Sequence, residues 1–149
     1  MISIEVEAEG WREVADLESA VERAALAALA GETAEVVVLL TDDMAQAELN
    51  ARFRGRPGST NVLSFPAPDA ARPHLGDLSL ALETCRAEAA AQGKPLSHHL
   101  AHLVVHGVLH LRGRDHEDEA QAEAMEAEER TILASLAIPD PYRPVEAQN

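Results

Sequence analysis

Paired cysteines, long apolar runs and a basic, apolar opening segment are all missing from this sequence. Cys85 is the single cysteine, so no intramolecular disulfide can form, and a lone thiol in a chain of 149 residues fits a reducing compartment. No stretch approaches the roughly 18–20 apolar residues that a membrane span requires. The opening residues, Met1-Ile2-Ser3-Ile4-Glu5-Val6-Glu7, carry acids where a leader peptide has a basic region and an apolar run. The expectation is a cytoplasmic protein without membrane partners. Internal repeats, low-complexity linkers and composition breaks are also lacking. Residues 1–149 therefore read as one domain, with 139–149 as a frayed, Pro-rich tail. Apolar residues make up 46% of the chain, enough to bury a core and to exclude disorder.

Net positive charge is absent as well. The formal charge is −14, against the usual basicity of nucleic-acid binders, whose phosphate contacts release counterions. Distribution matters more than the sum. From Arg112 to Arg130 eight acids face three arginines, and this run reads as a solvated helix face. From Ala51 to Thr60 stand Arg52, Arg54 and Arg56 with no acid.

Hydrophobic spacing gives the elements. Ile2 to Ala8 alternates and reads as a strand. A helix capped by Asp16 or Ser19 runs to Gly31, and Glu35 to Leu40 is a short, branched, buried strand. Thr41, Asp42 and Asp43 offer caps for a helix to about Phe53, broken by Gly55, Pro57 and Gly58. Asn61 to Phe65 and Gly76 to Leu82 are strands separated by a loop. Helices follow over Glu83–Gln92, from a Ser97 cap to Leu111, and over 117–137. The order predicts an α+β fold: a small mixed four-stranded sheet covered by about five helices, its third and fourth strands antiparallel.

Chemistry concentrates between His102 and His116. His106 and His110 are four residues apart on a predicted helix, which puts both rings on one face. Gly113 then permits a turn that returns His116 to the same point. The spacing H-x-x-x-H-x-x-G-x-x-H is the histidine spacing of metzincin metallopeptidases. Three neutral nitrogen ligands favour one Zn²⁺ per chain, with a fourth position left for water. His102, one turn earlier, is a fourth ligand, a supporting partner or a helical residue facing a polar pocket. His98 and His99 read as surface residues, and His74 as a loop residue and a minor cleft candidate. The glutamate that serves a zinc peptidase as base is replaced by Gly107, so that role would fall to Asp115 or Glu117. Gly107 is expected to allow a close approach to the helix. Asp115 is expected to support a ligand imidazole by hydrogen bonding. The arginines at 54 and 56 offer planar forks suited to phosphate oxygens.

His106-Gly107-Val108-Leu109-His110-Leu111-Arg112-Gly113-Arg114-Asp115-His116 resembles the H-G-x-L-H-L-x-G-[YF]-D-H signature of the YbeY family of rRNA-maturation endoribonucleases. Phe53-Arg54-Gly55 with Thr60-Asn61-Val62-Leu63-Ser64-Phe65-Pro66 is similar to that family's Y-R-x-K-D-x-P-T-[DN]-V-L-S-F-P, and Leu75-Gly76-Asp77-Leu78 to its L-G-D-I. Two departures stand out: Arg56-Pro57-Gly58-Ser59 replaces K-D-x-P, and Arg114 replaces an aromatic.

The resemblance implies a single-strand-specific, zinc-dependent endoribonuclease acting in 3′-end maturation of small-subunit (16S) rRNA and in ribosome quality control. It implies His106, His110 and His116 as ligands and Arg54 as the essential arginine. Arg56 and Arg114 are further candidates for binding substrate. The partners expected are the rRNA precursor and ribosomal proteins, not DNA. A metallopeptidase and a non-catalytic assembly factor with structural zinc remain the alternatives at this point.

Overall fold

A computed structural model describes residues 1–142. Four strands form one mixed sheet in the order β1-β2-β4-β3, with β1 at Ile2–Val6, β2 at Glu35–Thr41, β3 at Val62–Pro66 and β4 at His74–Ala81. β1 pairs with β2, and β2 with β4, in parallel; β3 runs antiparallel to β4 as the edge strand. The predicted antiparallel pair is present. The parallel pairs follow from the helical crossovers between their strands.

Five α-helices cover the sheet: α1 at Leu17–Leu29, α2 at Asp43–Arg54, α3 at Leu82–Ala91, α4 at Leu96–Leu111 and α5 at Glu119–Ser135. The Asp42 carboxylate accepts from the Ala45 N–H at 2.8 Å and caps α2. Three boundaries move. α4 starts at Leu96 behind Pro95 rather than at a Ser97 cap, because the fixed φ of proline presets the first turn. α5 starts at Glu119, capped by Asp118, because the residues before it are used in the return of His116. β4 begins at His74, which is therefore not in a loop; its ring pairs with Asp77 at 3.2 Å. Two short 3-10 turns, Glu9–Glu13 and Asp69–Ala71, carry no periodic signal and were not expected.

α4 is the pivot of the fold. It touches α1, α3, α5, β3 and β4, and Leu100, Val104, Val105, Val108 and Leu109 on it are buried. Each such side chain contributes about 1.5–3 kcal/mol of transfer free energy. Gly107 sits where the helix meets β4: a Cβ there would lie 2.6 Å from Leu78 Cδ2 and 3.0 Å from Cδ1. The close approach expected of this glycine is thus helix against strand, and any larger side chain there would have to displace Leu78. His102, His106 and His110 stay partly accessible at successive four-residue steps. They form the polar stripe of an otherwise buried helix. No helix among the described residues is long and apolar enough to cross a membrane.

Candidate metal centre

The α4 stripe opens onto a groove of about 900 Å³ whose far wall is the end of α2 and strand β3. Beyond α4, Gly113 adopts φ +90°, and the chain turns back so that His116 meets the stripe. The Asp115 carboxylate accepts from the His116 backbone N–H at 2.7 Å. Asp115 therefore holds the turn by its backbone, whereas an imidazole contact was expected.

Ligand atoms of His106, His110 and His116 all lie within 4.8 Å of one another. The Nε2 atoms of His106 and His110 are 3.2 Å apart. Two ligands of a tetrahedral ion, each at roughly 2.0–2.1 Å from it, stand about 3.3 Å apart, so this pair is already at chelating distance. Burial, followed by the neighbouring His106 and His116 rings, lowers the His110 pKa and favours the neutral, ligating form. The donor set fits a borderline divalent metal such as Zn²⁺.

Behind the triad lies a residue that the sequence reading placed on a solvated face. Glu129 is fully buried. Its carboxylate meets His106 Nδ1 at 2.9 Å and His102 Nε2 at 2.7 Å, and accepts from the Tyr142 hydroxyl. Burial alone would raise its pKa, but these hydrogen bonds outweigh burial and hold it near 2. As an ionised acceptor, Glu129 fixes His106 with Nδ1–H toward α5 and Nε2 toward the other two histidines. His102, bound to Glu129 and Tyr142, does not join the ligand group, so a closed site with His102 as fourth ligand is not formed. A signal for Glu129 was present: Met125, Glu129 and Leu133 share one buried stripe of α5 at four-residue spacing. Tyr142 and Asp140, in the expected frayed tail, are held by Glu129 and by Arg130; residues 143–149 of that tail lie outside the described residues.

The other predicted residues divide. Arg54 and Arg56 line the groove with the histidines. Arg114 does not; its guanidinium is committed to Glu128 at 3.1 and 3.2 Å, the acidic neighbour brought over it by α5. His99, read as a surface residue, is 3% exposed and bonds Glu88 at 2.8 Å, because α3 packs over the start of α4.

The profile of the family described as Endoribonuclease YbeY matches residues 3–137. The chain belongs to the endoribonuclease YbeY family. A relative of that name from Rhodopseudomonas palustris (strain ATCC BAA-98 / CGA009) is 52% identical over 148 residues, covering 92% of this chain and 78% of the relative. Another from Chelativorans sp. (strain BNC1) is 55% identical over 135 residues, covering 85% and 83%. The solution structure of TM1509 from Thermotoga maritima shares the fold, with a TM-score of 0.59 at 23% identity over the full length of both chains. Within this family match lie all three histidines, Glu129 and the arginines of the far wall; Tyr142 falls beyond it.

Proposed function

We propose that this chain is a single-strand-specific, zinc-dependent endoribonuclease acting in 3′-end maturation of 16S rRNA and in ribosome quality control, in the cytoplasm. One observation carries the reading: a histidine triad at chelating distance and two arginines line the same groove. The family supplies the reaction class and RNA as substrate.

His106, His110 and His116 hold the ion, and Glu129 sets the tautomer of His106. When bound, Zn²⁺ supplies Lewis acidity and lowers the pKa of water toward 7. Arg54 binds the scissile phosphate and neutralises charge growing on its oxygens; Arg56 holds a neighbouring phosphate. Gly107 packs on Leu78 and supplies no base, which sets the site apart from a metallopeptidase. Asp115 is the carboxylate that lines the groove, and its oxygen not engaged by the His116 N–H is available for proton transfer there.

The acidic remainder of the chain suits docking on basic ribosomal proteins, which brings a −14 protein to its rRNA. The test is incubation of the zinc-loaded protein with single-stranded and duplex RNA, followed by analysis of product ends. Cleavage confined to single strands is expected. A 2′,3′-cyclic phosphate end would assign the attack to the RNA 2′-hydroxyl in place of water. Intact RNA beside cleaved unstructured protein would replace this reading with the peptidase.

A further inference from the structure

The chain has one Trp, one Tyr and two Phe. Trp11 is buried in the core, and its indole N–H donates to the Thr41 carbonyl. The other three aromatics, Phe53, Phe65 and Tyr142, all line the groove. Tyr142 is accounted for by Glu129. Phe53 is not accounted for by packing: it closes α2 with 62% of its surface exposed. Its ring meets Phe65 edge to face, with centroids 5.9 Å apart and planes at 73°, and the Arg52 guanidinium lies 5.9 Å from its centroid. Phe53 is thus braced by a strand residue and still presents apolar surface to the groove.

The charge around it is equally uncommitted. Arg12, Arg72, Arg86, Arg112, Arg114 and Arg130 each pair with a carboxylate, whereas Arg52, Arg54 and Arg56, clustered at the groove, pair with none among the described residues, as is also true of the isolated Arg23 on α1. An exposed aromatic ring between unpaired arginines, in a chain of net charge −14, matches a ligand with flat apolar faces and a chain of anions. Single-stranded nucleic acid has that chemistry: bases stack on aromatic rings while phosphates track a positive groove.

We infer that Phe53, braced by Phe65, is a stacking platform for one nucleobase of single-stranded RNA, next to the phosphate positions held by Arg54 and Arg56. This rests on the ribonuclease reading and deepens it. Bases in a duplex already stack on each other, so the platform selects unpaired strands. It has no hydrogen-bonding edge and so no base preference of its own.

The test is fluorescence anisotropy of the full chain with a single-stranded RNA 8-mer and with an abasic 8-mer, in EDTA so that binding is read without cleavage. Phe53 is surface-exposed, so Phe53→Leu leaves the core intact while removing the π-face; Phe53→Trp keeps it. Phe53→Leu is expected to weaken the base-bearing 8-mer about 10-fold or more, the range for one lost stack, and to leave the abasic 8-mer unchanged. Phe53→Trp should bind both as the wild type does. Equal losses on both oligonucleotides, or none, would overturn the platform while leaving RNA binding in place. Unchanged RNA binding with lost binding to ribosomal proteins would overturn it in favour of a protein contact. A wild type that binds no single-stranded RNA would overturn the ribonuclease reading itself.

Discussion

The two walls of the groove are built on opposite principles. On the α4–α5 wall, His106, His102 and Tyr142 converge on one buried carboxylate, and Arg114 close by is paired with Glu128. On the α2–β3 wall, Phe53, Arg54 and Arg56 are exposed and the arginines have no acidic partner among the described residues. The first wall is preorganised: its groups meet their partners within the fold. The second is open: its groups have no partners within the described fold, as the proposed RNA contact requires. A metal site needs the former, because ligand angles must be set before the ion arrives. A polyanion site needs the latter, because a guanidinium already paired offers little to a phosphate.

This contrast can be broken at either wall. The largest effect is expected from His110→Ala, which removes one of the three proposed ligands and should abolish both stoichiometric zinc and RNA cleavage, read by elemental analysis and a gel assay. Arg54→Ala should cut cleavage on the order of 10²–10³-fold with zinc content unchanged, as for loss of one preorganised donor to a transition state. Glu129→Gln keeps the shape of the side chain but lets His106 choose its tautomer. It should weaken zinc affinity about 10–100-fold in a competition titration while RNA affinity without metal holds. If Glu129→Gln weakened RNA binding and spared zinc, the division between the walls would be wrong.

Gly107→Ala tests the scaffold beneath the first wall. The added methyl meets Leu78, and a destabilisation of about 1–3 kcal/mol is expected in denaturant unfolding.

The smallest effect concerns His99, away from both walls. Burial lowers its pKa below the usual 6.5, the Glu88 hydrogen bond opposing. A depressed folded value means that the unfolded chain binds the proton more readily. The His99 contribution is therefore complete above pH 6.5 and declines as the pH falls below it toward the folded value. His99→Gln should flatten the stability profile in that window, read as Tm against pH.

Much of the first wall was legible in the sequence, and much of the second only in part. His106, His110 and Gly113 could be placed because helical periodicity and a left-handed turn are local rules. The four strands and the antiparallel pair followed from alternation and short connections. Strand order did not, because it is fixed by which helices cross which faces. Glu129 was misread for a related reason: an acid count over a helix does not distinguish its outer face from the stripe between Met125 and Leu133. Arg114 stands beside His110 and His116 in sequence, yet its partner Glu128 lies on α5, fourteen residues on. The role of Phe53 depends on Phe65, twelve residues away across a loop, and a pattern reading within single elements does not register such pairs.

The most direct test is zinc content and RNA cleavage measured together on the wild type, His110→Ala and Arg54→Ala. About one zinc per wild-type chain, lost in His110→Ala and kept in Arg54→Ala, with cleavage abolished in the first variant and strongly reduced in the second, is the result expected. Wild-type protein that takes up no zinc, or an Arg54→Ala variant that cleaves RNA at the wild-type rate, would contradict it.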